Sequence, residues 1–293
     1  MKKLLLIINP MAGRNQAQTE LYKMVKVFSD GGYEVTVYPT RQRTDCTRKV
    51  QEDAERFDLV VCCGGDGTLN EMVSGMMSRA DRIPMGYIPL GSTNDLACSL
   101  HIPLKVEDAA EHCINGTEFH MDVGALNDRY FNYIAAFGAF TEASYATPQQ
   151  IKNALGHLAY ILEGIKSVAK IQPIHVKITA DGEILEGDYL FGAVSNTTSL
   201  GGILKLDPHK VLLDDGMYEL LLVKNPSNAL ESQAMLGALV SQNYNGPFIR
   251  MMKASQIRFE SSHEISWTLD GEYGGSSTDT LVINNKNAIT LMI

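Results

Sequence analysis

The stretch Phe57-Asp58-Leu59-Val60-Val61-Cys62-Cys63-Gly64-Gly65-Asp66-Gly67-Thr68-Leu69-Asn70-Glu71 decides the fold. Phe57–Cys63 is a short apolar run rich in branched residues, as expected of a strand buried on both faces of a parallel sheet. A turn of three glycines around one acid follows, and Thr68–Met77 then reads as a helix. Glycine lets the backbone approach a phosphate closely, and the helix N-terminus beyond it adds partial positive charge. Thr68-x-x-Glu71 also fits a capping box, with Thr68 capping the helix and Glu71 reaching back to it. Capping does not account for Gly64-Gly65-Asp66-Gly67. A carboxylate beside phosphates is repelled by them, so Asp66 is expected to hold a bridging Mg²⁺ or to accept a proton.

The pattern repeats on either side. Leu4–Asn9, Tyr33–Tyr38 and Met85–Pro89 read as further strands, while Gln18–Phe28, Asp45–Arg56 and Asp95–Leu100 read as helices. Such alternation implies a parallel sheet with right-handed crossovers. Two more glycine-bearing loops follow strands, Asn9-Pro10-Met11-Ala12-Gly13 and Gly91-Ser92-Thr93-Asn94-Asp95, and Ser92-x-x-Asp95 is a second candidate cap. Ligands of parallel α/β sheets bind beyond the carboxyl ends of the strands, so the loops are expected to converge on a polyphosphate. Neither GxxxxGK[ST] nor a GxGxxG after the first strand is present, which argues against the P-loop and dinucleotide-binding folds.

Beyond about Gly124 the texture changes to short alternating segments: Ile174–Thr179, Ile184–Leu185, Tyr189–Val194, Met217–Val223, Ile257–Phe259, Glu264–Leu269, Thr280–Ile283 and Ala288–Ile293. Asp-Gly turns between such runs signal hairpins. One helical pattern interrupts them, Asn153–Lys170, with an apolar stripe that reads as packed on the sheet. The expected fold class is an α/β N-terminal domain with a parallel sheet plus a C-terminal β-sandwich-like domain. The boundaries are 1–124 and 125–284, with 285–293 a candidate to complete the first domain.

The composition agrees with two packed cores. Of 293 residues, 45% are hydrophobic and 20% charged. The net charge of −9 argues against a nucleic-acid partner and against broad electrostatic adhesion to anionic membranes. No run approaches the roughly 18 apolar residues of a membrane-spanning helix. Leu4–Ile8 is shorter than the about 7–15 apolar residues of a secretory core. The five cysteines, Cys46, Cys62, Cys63, Cys98 and Cys113, form no CxxC pair and indicate neither a disulfide framework nor a zinc site. A cytoplasmic protein is expected.

Taken together, the Asn9–Gly13 loop, the Gly64–Glu71 element and the Gly91–Asp95 element resemble the diacylglycerol kinase catalytic domain, in its bacterial lipid kinase branch. More distantly the chain is similar to the NAD kinase superfamily through GGDG. Phe131-Asn132 with Ala136-Phe137-Gly138, then Asn196 with Gly201-Gly202, Pro208 and Asp214-Asp215-Gly216, and finally Leu269-Asp270-Gly271-Glu272, extend the resemblance over most of the chain. Lys205–Lys210 departs from it by replacing small residues before the acidic turn.

The resemblance implies a kinase that transfers the γ-phosphoryl group of ATP to the hydroxyl of a diacylglycerol-like lipid. Asn9, Gly13, Thr40, Gly65, Asp66, Gly67, Thr68, Leu69, Asn70, Glu71 and Thr93 are then the nucleotide contacts. A structural Mg²⁺ is implied at Leu212, Asp215 and Met217; without the resemblance these residues read as a hairpin turn. Glu272 is the favoured proton acceptor, with Asp66 on the nucleotide–Mg²⁺ side, and Asp66 is the alternative base. Asp270 reads either as part of a metal network or as a hairpin turn. The lipid substrate implies transient visits to a membrane surface, and a homodimer is among the open oligomeric states. The rival readings are NAD kinase-like phosphorylation of a dinucleotide and a non-catalytic nucleotide-binding module.

Overall fold

The structure, a computed structural model, describes residues 1–138, 172–197, 199–200, 204–205, 211–241, 243–244 and 246–293. The expected helix Asn153–Lys170 and most of Lys205–Lys210 lie outside them. The chain divides into two compact units, 1–123 with 285–293, and 124–284.

In the first unit, strands β1 (Lys2–Ile8), β2 (Tyr33–Pro39), β3 (Leu59–Gly64) and β4 (Met85–Pro89) lie parallel in the order β2-β1-β3-β4. The end of the last strand, β15 (Glu272–Met292), joins β4 in parallel through Leu291 opposite Met85. Helices α1 (Gln16–Thr19), α2 (Leu21–Asp30), α3 (Asp45–Asp53), α4 (Asp66–Met77), α5 (Asp95–Ser99) and α6 (Val106–Asn115) connect them. Leu4, Leu6, Val61, Ile88, Phe28 and Ala109 share one core, so β1 and β3 read as unbroken apolar runs because both faces are covered. Helix α6 was not signalled by the sequence. Its buried positions, Val106, Ala109, Ala110 and Cys113, have helical spacing but small side chains that give a weak periodic signal.

The second unit is antiparallel, in the order β13-β12-β9-β7-β14-β15. Its strands are the end of β5 (Glu118–Leu126), then β6 (Arg129–Phe131), β7 (Ile134–Gly138), β8 (Ile174–Ala180), β9 (Glu183–Ser195), the short pair β10 (Ser199–Leu200) and β11 (Leu204–Lys205), β12 (Tyr218–Lys224), β13 (Ile249–Ala254), β14 (Gln256–Leu269) and the start of β15. The long strands β9 and β14 each pair with β7 over one half and with β8 over the other. Trp267 packs edge-on against Phe137 and Phe259 in the main core, with centroids 5.0 and 4.9 Å apart.

Two expectations change here. The runs Ile257–Phe259 and Glu264–Leu269 form one strand, because a register shift between Glu260 and Ile265 absorbs the polar Ser261-Ser262-His263 without ending the ladder. A helix the sequence reading did not name, α7 (Ala229–Val240), follows β12; Asn228 caps it by accepting from Glu231 N at 2.9 Å, a signal present in the sequence but not used.

Candidate active site and family

Parallel order brings the ends of β1, β3 and β4 side by side, and with them the three glycine loops. Gly65 and Gly91 touch back to back: a Cβ on Gly91 would lie 2.8 Å from the Gly65 Cα, and one on Gly65 would lie 3.1 Å from the Gly91 Cα. A Cβ on Gly64 would meet the Thr68 hydroxyl at 2.4 Å, so Thr68 fills the space beneath the turn. Asn9 Nδ2 donates to that hydroxyl at 3.4 Å, and Asn9 Oδ1 accepts from Met11 N at 3.1 Å, which ties the first loop to the second. Asn94, left-handed at φ 51°, closes the third loop on itself through Gly91 N (2.8 Å) and Gly91 O (3.0 Å), and accepts from the Tyr87 hydroxyl at 3.3 Å. The sequence contained Asn94 but gave no hint of this locking role.

Helix α4 starts at Asp66, two residues earlier than expected, with Gly65 as its cap. Asp66 therefore sits in the first turn, where the helix favours negative charge. Asp66 Oδ2 accepts from Asn94 N at 3.0 Å and from the Thr93 hydroxyl at 3.3 Å, while Oδ1 is buried without a hydrogen-bond partner. Burial pushes the Asp66 carboxyl above its ordinary range, opposed by the Thr93 and Asn94 bonds. A buried carboxylate oxygen lacking a donor is a place for a cation or a proton.

The capping boxes are absent. Glu71 does not reach back to Thr68; its carboxylate accepts from Thr44 N (2.9 Å) and Cys46 N (3.2 Å), so it caps α3. No side chain caps α5, and Asn94 rather than Ser92 is its N-cap residue. Leu69 is buried in the protein, and the Thr40 hydroxyl donates to Ile8 O at 3.3 Å, so these two residues serve the sheet as well as the loops. Gly13 is left-handed at φ 59° in the first loop.

In the second unit, Asp270 and Gly271 are both left-handed (φ 48° and 85°) and close the β14–β15 hairpin, with Leu269 opposite an exposed Glu272. The Asp270 carboxylate is nearly buried and accepts from Asn132 N (2.7 Å), Tyr133 N (3.0 Å) and Ile134 N (3.1 Å). The hairpin reading holds; the metal-network reading does not fit a carboxylate that already carries three amide bonds.

Further along, Asp215 Oδ1 accepts from Met217 N at 2.9 Å, and Lys253 Nζ lies 2.8 Å from Asp215 Oδ2 and 3.3 Å from Glu219 Oε1. Glu219 is only 2% exposed, and burial pushes its carboxyl up to about 7 against the opposing pull of Lys253, its nearest positive charge. Two carboxylates against one ammonium leave a negative excess, and the oxygen donors on offer suit Mg²⁺. An ion held by Leu212, Asp215 and Met217 would share the Asp215 carboxylate with Met217 N and Lys253 Nζ, which already engage its two oxygens. Asn196, which donates to Leu213 O at 3.3 Å, steadies this loop. An acid inside the apolar strand Tyr218–Lys224 was the available signal for Glu219. Among the described residues, no group of three or more His, Cys, Asp or Glu is arranged to hold a metal, and no helix is long and apolar enough to cross a membrane.

A parallel α/β sheet with three phosphate-type loops, combined in one chain with an antiparallel sandwich, defines a phosphotransferase of the diacylglycerol kinase and NAD kinase-like class. Residues 3–126 match the family model of the Diacylglycerol kinase catalytic domain, and residues 136–292 match that of the YegS C-terminal NAD kinase beta sandwich-like domain. The chain belongs to the diacylglycerol kinase catalytic-domain family. It is 37% identical over 277 residues to a diacylglycerol kinase of Bacillus subtilis (strain 168), covering 94% of this chain and 91% of that one. It is 33% identical over 275 residues to a diacylglycerol kinase of Staphylococcus aureus (strain MRSA252), covering 94% and 87%. A crystal structure of a diacylglycerol kinase from Bacillus anthracis str. Sterne superposes with a TM-score of 0.78 at 25% identity, over 99% of this chain and 96% of that one.

Proposed function

We propose that the protein is an ATP-dependent lipid kinase that phosphorylates the free hydroxyl of a diacylglycerol-like lipid presented at a membrane surface. The observation that carries the nucleotide half is the Gly65–Gly91 contact, which keeps side chains off the loop tips beside the buried, unpartnered Oδ1 of Asp66. The lipid half is supported by the names of the relatives.

In this reading Asn9, Gly13, Thr40, Gly65–Glu71 and Thr93 form the nucleotide site, with Leu69 and Glu71 holding the frame of α3 and α4. The first unit serves as the nucleotide-binding domain and the second as the lipid-substrate domain. Mg²⁺, when bound, neutralises phosphate charge on the Asp66 side, and a second ion at Leu212, Asp215 and Met217 steadies the acidic loop. Glu272 accepts the proton of the lipid hydroxyl as its oxygen bonds to the γ-phosphorus. The bond from that phosphorus to the β–γ bridging oxygen breaks, and ADP leaves. Positioning and charge neutralisation dominate such a transfer.

The test is transfer of label from [γ-³²P]ATP, with Mg²⁺, to diacylglycerol, monoacylglycerol, sphingosine, phosphatidylglycerol, undecaprenol or NAD, offered separately. The proposal expects label in the phosphorylated lipid. Label only in NADP would overturn it, and ATP binding with no transfer to any acceptor would make the protein a nucleotide-binding module.

A further inference from the structure

We propose that Asp270 is a positioning residue that sets Glu272 for proton transfer, by cradling the backbone of Asn132–Ile134 with its carboxylate. The proposal rests on the reading of Glu272 as proton acceptor.

A two-residue Asp-Gly hairpin needs only left-handed backbone at both positions, which Asp270 and Gly271 supply. The three amide bonds to the Asp270 carboxylate go beyond that need. They are reinforced by Asp270 N donating to Ile134 O at 2.9 Å and by the Tyr133 hydroxyl donating to Asp270 O at 3.3 Å. An ionised carboxylate has about four acceptor positions, and bonds to it are roughly twice as strong as neutral ones.

The cradle extends a ladder. Strand β7 pairs with β14 as far as Ala135 opposite Leu269, and Leu269 in turn pairs with Glu272. Past Ala135, the Asp270 side chain replaces the missing strand partner for three successive amides. The loop has no other anchor from its own Asn132, which is wholly buried with neither carboxamide atom hydrogen-bonded. Without the Asp270 carboxylate, two buried amides and one half-buried amide would lose this acceptor, and the hairpin tip would shift to find water. Glu272 is the first residue beyond that tip. A displacement of about 1 Å at a reacting group costs on the order of 10²-fold in rate.

The test is a double-mutant cycle on the full chain, with turnover measured on diacylglycerol micelles and ATP. Asp270→Asn is expected to lower kcat about 10²-fold while KM for ATP stays within about threefold, and to cost less than about threefold when Glu272 is already Gln. The same large loss in both backgrounds, or a normal kcat for Asp270→Asn, would overturn the proposal. A near-normal kcat for Glu272→Gln alone instead removes the base reading itself. Should Asp270→Asn fail to fold, Tyr133→Phe carries the cycle. A several-fold loss that vanishes in the Glu272→Gln background supports positioning, and an equal loss in both backgrounds, or none in either, contradicts it.

Discussion

Around Asp66, Gly65 and Gly91 approach so closely that a side chain on Gly91 would force a shift and one on Gly65 would press on it, and the loops cohere through backbone contact and the locking amide of Asn94. Around Asp270 and Asp215 the loops are held by buried or half-buried carboxylates: three amides on Asp270, and Lys253 shared between Asp215 and Glu219. The first design keeps side chains off the loop tips where phosphates are expected. The second uses charge to fix irregular backbone at strand ends, where no ladder continues. The difference teaches why the two sites should respond to different perturbations: the first to added volume, the second to pH and charge.

The largest effect is expected where charge is least compensated. The Glu219 carboxyl lies near 7 in the folded protein, against 4.5 for an ordinary glutamate. The folded state therefore holds this proton more tightly, so stability falls as pH rises from 4.5 to about 7 and then levels off. Glu219→Gln keeps the shape and leaves Lys253 paired with Asp215. Its melting curve should show a gain on the order of 3 kcal/mol over the parent at pH 8, absent at pH 4. Added Mg²⁺ should narrow the gap at pH 8 by stabilising the parent. A gap independent of pH would mean that Glu219 carries no uncompensated charge.

Gly91→Ala tests the other half of the comparison. The new methyl would lie 2.7 Å from Asn94 Oδ1 and 2.8 Å from the Gly65 Cα. Overpacking of this kind costs about 1–3 kcal/mol, and affinity for a fluorescent ATP analogue should fall by at least about tenfold. Unchanged affinity would separate the glycine contact from nucleotide binding. Smaller again is Glu71→Gln, which exchanges a charge-assisted cap of α3 for a neutral one. Urea unfolding should record a loss of about 1 kcal/mol, and no loss would return Glu71 to a role outside the frame.

Much of the first unit could be read directly, because β1 and β3 are covered on both faces and announce themselves as apolar runs, and because glycine turns have no competing explanation. What the sequence did not convey is the partner of each polar residue. Thr68 and Glu71 have capping-box spacing, yet Glu71 spends its carboxylate on Thr44 and Cys46, distant in sequence and near in space. Long-range pairing of this sort leaves no local pattern. The same holds for the Asp270 cradle, whose donors lie more than a hundred residues upstream, and for Lys253, which meets Asp215 only because β12 and β13 are neighbours. Helix α6 escaped for a different reason, its small buried side chains.

The central proposal is that the glycine loops hold the nucleotide and that Glu272 takes the proton. It is tested most directly by measuring ATP affinity and lipid-phosphorylation turnover on the same preparation of Glu272→Gln. The account predicts ATP affinity within about threefold of the parent and turnover lower by about 10²–10⁴-fold, the range for a lost general base. Near-normal turnover with intact binding would contradict it and move the proton acceptor to another residue, with Asp66 the first to examine.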